Sequence, residues 1–572
     1  MNFSHSIAQH CLIPGILLAA LLSGCQSGTD LAALPVYDEG FQRTYFEAQN
    51  HLAKGDLDLA HSAFMACLDM QPEELALRFD LAKIDVKRGQ YESAKLQLDA
   101  LLEADENNRW AREYRADAAL ALGDLETVRD DLKWILQQRS GDIDWAFEWT
   151  LRLADSGDVE GAIALCDQYE ELTPGDPDIT LQRLYFLELL EDYEAIYHGL
   201  EQAVVDFPDI ADFKVQWAQM LRATGQEDVA LTTLMEVIAD DPSNGLAHLD
   251  LAHLFTAQNK TREAQEALLV AFASEDVFEE EKHEILTQYL QISRIDPSLN
   301  SIIERLLSAA LGQHPKSSEL RMLAADFEQG RNQPAAAKTH ALIAVESNPG
   351  NPICWSNLIA LDAELGSIED MESHALYGMD LFPLDANFAY YAAIAARDLH
   401  AHDRVAEALQ RGLAVVLDQP ELEALMSGLL GDALHTLEQP ELAYEAYERS
   451  LSLAPKNPLV LNNYAYYLAE AGERLERALE CSELLMELVP ADPNFMDTHA
   501  WVLYKNGRYP EALDLITQAL FESPNQGPAF WEHDGDIRQA MGDTDGAIQS
   551  WERAMESGGD ATVLQQKIAN EQ

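Results

Sequence analysis

Glycines stand at Gly55, Gly89, Gly123 and Gly157, thirty-four residues apart each time. The same interval leads on to Glu191, Gly225 and Asn259. Five residues past most of these markers is an alanine: Ala60, Ala94, Ala162, Ala230, Ala264. Seventeen past several is a proline: Pro72, Pro174, Pro208, Pro242. A fixed period of this length means one supersecondary unit, repeated and stacked on its neighbours. The residue types say what the unit is. The glycine, or asparagine at 259, ends a first helix in a left-handed turn that strains other residues. The alanine lets a second helix approach the first. The proline stops the second helix, because it cannot continue a helix interior. One such hairpin cannot bury its apolar face alone, so neighbours must bury it for each other.

The register falters between about 275 and 330, where EDVFEEEKHE and RIDPSLN replace it, and then returns. Ala337 goes with Pro349, Gly366 with Pro383, and a degenerate unit covers about 386–420. Then come Ala443 with Pro455, Gly472 with Ala478 and Pro490, Gly507 with Ala512 and Pro524, and Gly542 with Ala547. Glycines also stand at Gly431 and Gly535. The pattern amounts to about 13 to 15 units and resembles the tetratricopeptide repeat. That resemblance implies an all-α, right-handed superhelical solenoid of helix-turn-helix units. It implies a further small position in the first helix, held by Gly431 and Gly535. It divides the chain into a first array at 41–276, an irregular stretch at 277–331 and a second array at 332–559. The irregular stretch is either a bend or a set of diverged helical repeats. Residues 560–572 read as a capping helix or tail.

The N-terminus carries a different signal. Residues 11–22, CLIPGILLAALL, form an apolar run of about a dozen residues. A membrane span needs roughly twenty, whereas a signal peptide needs only this many. Leu22-Ser23-Gly24-Cys25 then resembles the lipobox of bacterial lipoproteins. The resemblance implies removal of residues 1–24, lipidation of Cys25 and a flexible tether over 25–40. Acyl chains contribute about 0.8 kcal/mol per buried methylene, so two or three on one residue anchor it stably. Gln26, where an aspartate would imply inner-membrane retention, implies the outer membrane. No Lys or Arg precedes the apolar run, a departure that keeps an unlipidated secretory signal or a short buried helix as alternatives.

The chain carries 99 acidic and 38 basic residues among 572, a net charge of −61. The acids are spread along its whole length. Such a surface repels nucleic acid and anionic lipid; it suits either a salty medium or a basic partner. After Cys11 and Cys25, the remaining cysteines (Cys67, Cys166, Cys354, Cys481) lie far apart with no metal-ligand spacing and read as buried helix residues. No HExxH, Walker or GxSxG motif occurs. His248 and His253 fall on different helix faces, and His400 and His402 sit near a helix end. In WEHDGD, 531–536, only Glu532 and Asp536 share a face. No metal, cofactor or catalytic set is expected.

Binding remains. In the tetratricopeptide family the inner face is lined by the first helix of each unit. By that resemblance the candidate contacts are Asn462 and Tyr466, then Asp497, Trp501 and Tyr504, then Glu532 and Asp536. Spacings of three and four keep each set on one face. Aromatics there would grip an extended peptide, and carboxylates would pair with its Lys or Arg. The block from 461 to 513 is similar to the C-terminal repeats of bacterial envelope TPR lipoproteins. Some of these recruit a periplasmic carboxyl-terminal processing protease to peptidoglycan hydrolases. The resemblance implies a periplasmic scaffold or adaptor on the outer membrane, with protein or peptide partners and a lipid as its membrane contact. A structural subunit of a secretion, pilus or polysaccharide-export assembly, or an activator of a peptidoglycan synthase, are the alternatives.

Overall fold

The computed structural model describes residues 37–523 and 527–571. Among them are 31 α-helices, one short 3-10 helix and no strand. The lipobox residues Leu22, Ser23, Gly24 and Cys25 lie outside the described residues. The helices run in antiparallel pairs joined by tight turns, an all-α helical repeat. At the end of the helix Glu39–Lys54, Gly55 takes φ 82°, and its N–H reaches back to the carbonyls of His51 and Leu52. The equivalent turns at Gly89, Gly123, Gly157 and Gly225 are also left-handed.

The turn is kept where the period supplies no glycine. Glu191 takes φ 55° and Asn259 φ 57°. A left-handed conformation costs an ordinary L-residue roughly 1–2 kcal/mol. Glycine there loses part of that gain to its freer unfolded chain. Glu191→Gly is therefore expected to stabilise by about 1 kcal/mol, read as a higher urea midpoint at unchanged slope. A midpoint at or below wild type would contradict the strain argument.

The small positions sit where two helices touch. Ala60, Ala94, Ala162, Ala230 and Ala264 are all buried. A Cβ on Gly431 would lie 2.5 Å from the Tyr447 ring, and one on Gly535 would lie 2.4 Å from the Trp551 ring. Neither position admits a side chain without moving an aromatic.

Packing divides the chain into two compact units, with the boundary between Gln226 and Glu227. In the first unit, apolar clusters form between successive hairpins. One gathers Trp145, Trp149, Tyr169 and Phe186. Beside it lies a fully buried acid, Asp131 on the helix Leu125–Gln138. It accepts from Arg112 at 2.8 Å and from both Nε and Nη2 of Arg115 at 2.8 Å. Arg115 also reaches Asp99 at 2.8 Å, tying three successive helices together.

In the second unit one continuous core runs from Ala325 to Val502. The irregular stretch is helical. Glu279–Ser293 leads through the 3-10 turn Pro297–Leu299 to Asn300–Gln313. The 279–293 helix buries only Lys282 and Leu286. The Lys282 ammonium donates to the Ser274 carbonyl at 2.8 Å and faces His314 Nε2 at 3.3 Å. Burial pushes its pKa down, against the pull of Glu279, Asp276 and Glu275. The last helix, Ala561–Glu571, closes the unit by burying Leu564 against Ala547, Trp551 and Ala554.

Cys67, Cys166, Cys354 and Cys481 are buried free thiols. Burial pushes Cys166 up to about 12 and Cys481 up to about 11. Among the described residues no helix is long and apolar enough to cross a membrane.

Candidate functional site

Three first helices near the C-terminus carry the sequence candidates: Pro458–Ala471, Pro493–Lys505 and Pro528–Ala540. Each starts with proline, whose missing N–H is no loss in the first turn. Asn457 and Asp492 cap the first two by accepting backbone N–H groups. Helical spacing then puts Asp497, Trp501 and Tyr504 on one side of the second.

Stacking of these helices brings four of the seven candidates around a residue the pattern did not select, His533. Its Nδ1 donates to Asp497 Oδ1 at 2.8 Å, and both side chains are buried. The His533 ring lies flat on Trp501, 4.1 Å between centroids at 18°. Trp501 stacks in turn on Tyr504 at 4.9 Å and 19°. Tyr466 approaches His533 at 6.1 Å. Trp501 is 5% exposed, its indole N–H has no acceptor, and the Lys505 ammonium sits 4.6 Å over its ring. Burial pushes the Tyr466 hydroxyl up to about 12, with Glu470 and Asp497 adding to it, and moves Tyr504 the same way.

Glu532 and Asp536 share a face, as their spacing predicts. A side chain of this protein already holds them. The Lys567 ammonium of the last helix lies 2.8 Å from Glu532 and 2.7 Å from both oxygens of Asp536. Asp536 also accepts from Trp551 Nε1 at 2.9 Å. Burial pulls the Lys567 pKa down, but the hydrogen bonds to Asp536 and Glu532 outweigh it and the net shift is upward. Asn462 stands apart. It donates to Asn463 at 3.2 Å, while its own carbonyl oxygen is buried without a partner. Nearby, His435 stacks on Tyr467 at 3.5 Å, and burial pushes its imidazole pKa down.

The C-terminal face is thus a largely satisfied seam of rings and ion pairs, with Tyr466 and Tyr504 partly buried along it. His533 follows Asp497 by 36 residues, and Lys567 follows Asp536 by 31. Pairs about one period apart fall on neighbouring first helices, and that spacing is the signal that could have found both.

Open concavities lie elsewhere. A groove of about 820 Å³ in the first unit is lined by Leu184, Tyr185, Tyr193, Ile196, Leu200 and Met220 among others. A smaller hollow of about 380 Å³ sits by the irregular stretch, between Leu290, Arg294, Asn300, Asp326 and Phe327. Desolvation raises the Asp326 carboxyl there, partly offset by Arg294. Among the described residues no group of three or more His, Cys, Asp or Glu could hold a metal ion.

The hairpins and their small contact positions define an all-α helical-repeat protein. Models of the tetratricopeptide repeat family match residues 51–113 and 426–457. No curated protein matches the sequence. Similar solved structures include the APC/C hetero-tetramer Cut9–Hcn1, 15% identical over 93% of this chain and 96% of that one, with a TM-score of 0.34. YrrB, described as a TPR protein with an unusual peptide-binding site, is 20% identical over 32% of this chain and 92% of its own, with a TM-score of 0.29. A tetratricopeptide repeat protein from Parabacteroides merdae is 14% identical over 44% of this chain and 98% of its own, with a TM-score of 0.33.

Proposed function

We propose that this protein is a periplasmic scaffold of the bacterial envelope, anchored to the outer membrane through a lipid on Cys25. It holds partner proteins together and performs no reaction itself. The observation that supports a scaffold is the recurrence of helical hairpins within each of the two units. Stacked repeats of this kind offer extended binding surfaces. The anchor rests on the apolar run and Leu22-Ser23-Gly24-Cys25. The partners we favour are a carboxyl-terminal processing protease and its peptidoglycan-hydrolase substrates, on the similarity of residues 461–513 to envelope repeat lipoproteins.

Cross-linking capture with mass spectrometry, comparing wild type with Cys25→Ser in cells fed an alkyne fatty acid, tests this. Wild type is expected to take up the label and to recover a protease with hydrolases. Cys25→Ser should lose both. An export channel recovered in fixed stoichiometry would make the protein a structural subunit instead. Recovery of no protein partner would end the scaffold reading.

A further inference from the structure

In the first unit, helices Pro177–Leu189 and Ala211–Ala223 both pack on Tyr193–Asp206, yet scarcely on each other. Some neighbouring first helices elsewhere meet, as Leu75–Lys87 and Arg109–Leu122 show, while others stand apart in the same way. The gap between them is the 820 Å³ groove. That volume falls in the range of clefts that bury a ligand, roughly 300–1,000 Å³.

Its floor is apolar: Leu184, Ile196 and Leu200 are all buried. Two aromatics stand at its mouth, Tyr185 at 51% and Tyr193 at 62% exposure. Large rings half out of the core bring contact area at low entropic cost, which is why tyrosine is enriched among residues that dominate binding. Glu188 lines the groove, and Glu191 and Glu194 are exposed in the turn and helix start that follow it. Among the described residues none of these three carboxylates has an ion-pair partner. The one cation lining the groove, Arg222, is already engaged. This contrasts with the C-terminal face, whose acids Lys567 already neutralises.

We infer that this groove binds a peptide segment of a partner protein, apolar in its middle and flanked by Lys or Arg. The apolar side chains cover Leu184, Ile196 and Leu200 between the two tyrosines. The flanking cations meet Glu188, Glu191 and Glu194. Complementary charge of this kind speeds encounter and excludes acidic competitors. The inference rests on the scaffold reading and names one of its binding sites and the chemistry it selects.

The test uses the purified full chain and two fluorescein-labelled peptides. Both carry leucines at helical spacing; one ends in Lys-Arg pairs, its twin in Glu-Asp pairs. Fluorescence anisotropy should show the basic peptide binding at least about tenfold tighter than the acidic one. Tyr185→Ala with Tyr193→Ala should weaken it by about tenfold or more. Glu188→Lys with Glu194→Lys should shift preference towards the acidic twin. All four side chains are exposed, so unchanged melting by circular dichroism is expected.

Equal binding by wild type and both variants overturns the inference. So does binding lost in Tyr466→Ala or Tyr504→Ala instead, which moves the peptide to the C-terminal face and leaves the scaffold reading intact. Self-association that vanishes in the tyrosine variant would make the occupant a second copy. Co-sedimentation with phosphatidylcholine vesicles that vanishes likewise would make it a lipid surface. Either result overturns the peptide assignment.

Discussion

Trp149→Ala is expected to destabilise the first unit by about 4 kcal/mol, the range for emptying a buried aromatic site. Trp149 is 2% exposed and fills the cluster formed with Val128, Leu132, Trp145 and Tyr169. Its ring meets Trp145 at 6.4 Å and carries the Arg152 guanidinium on its face at 3.8 Å. Alanine would leave a cavity that rigid neighbouring helices cannot close. The loss should also be local. In stacked repeats, stability is a sum of unit and nearest-neighbour terms. Hydrogen exchange should therefore lose protection across residues 125–189 while residues 440–540 keep theirs. Uniform loss of protection over both ranges would show that the chain unfolds as a single block.

The second large effect concerns charge. Asp131→Ala removes a fully buried acceptor of three hydrogen bonds from two arginines. Removing one partner of a buried pair typically costs 3–5 kcal/mol, because the other charge is stranded. Here the loss is partial. Arg112 keeps the Glu106 carbonyl and Arg115 keeps Asp99, and both side chains retain some exposure. A cost of about 2–3 kcal/mol follows, measured by urea denaturation. The Asp131 hydrogen bond is the main influence raising the Arg115 pKa, so that charge persists at any accessible pH. Replacing Asp131, Arg112 and Arg115 together by apolar residues should cost less than Asp131→Ala alone, since no charge is then left without a partner. A triple variant less stable than the single one would show that the network supplies net stability.

Much of the fold was written in the residues themselves. Turn chemistry is local. A left-handed cap, a proline stop and a small contact residue each act within a few positions of the chain. Their recurrence every 34 residues therefore specified the hairpins, down to the left-handed turn forced on Glu191. Gly431 and Gly535 were marked by the family resemblance only as small positions; the structure shows that a Cβ there would strike a ring of the paired helix. The stretch 277–331 was less legible, because the repeating turn chemistry falters there and left a bend or diverged helical repeats open; the structure shows helices with a 3-10 break at Pro297–Leu299.

The candidate site was only half legible. Sequence spacing placed Asp497, Trp501 and Tyr504 on one helix face, and Glu532 with Asp536 on another. It gave no hint that His533 would lie between Asp497 and Trp501, or that Lys567 would take both acids. Nor did it show the groove at Leu184, Tyr185 and Tyr193, between two first helices that scarcely touch. The distinction is physical. Backbone turns and helix faces are fixed by neighbours a few residues away, and the sequence by itself determined them. Which side chains meet one repeat apart depends on how far each hairpin is tilted and shifted on the next, and that only the tertiary structure decided.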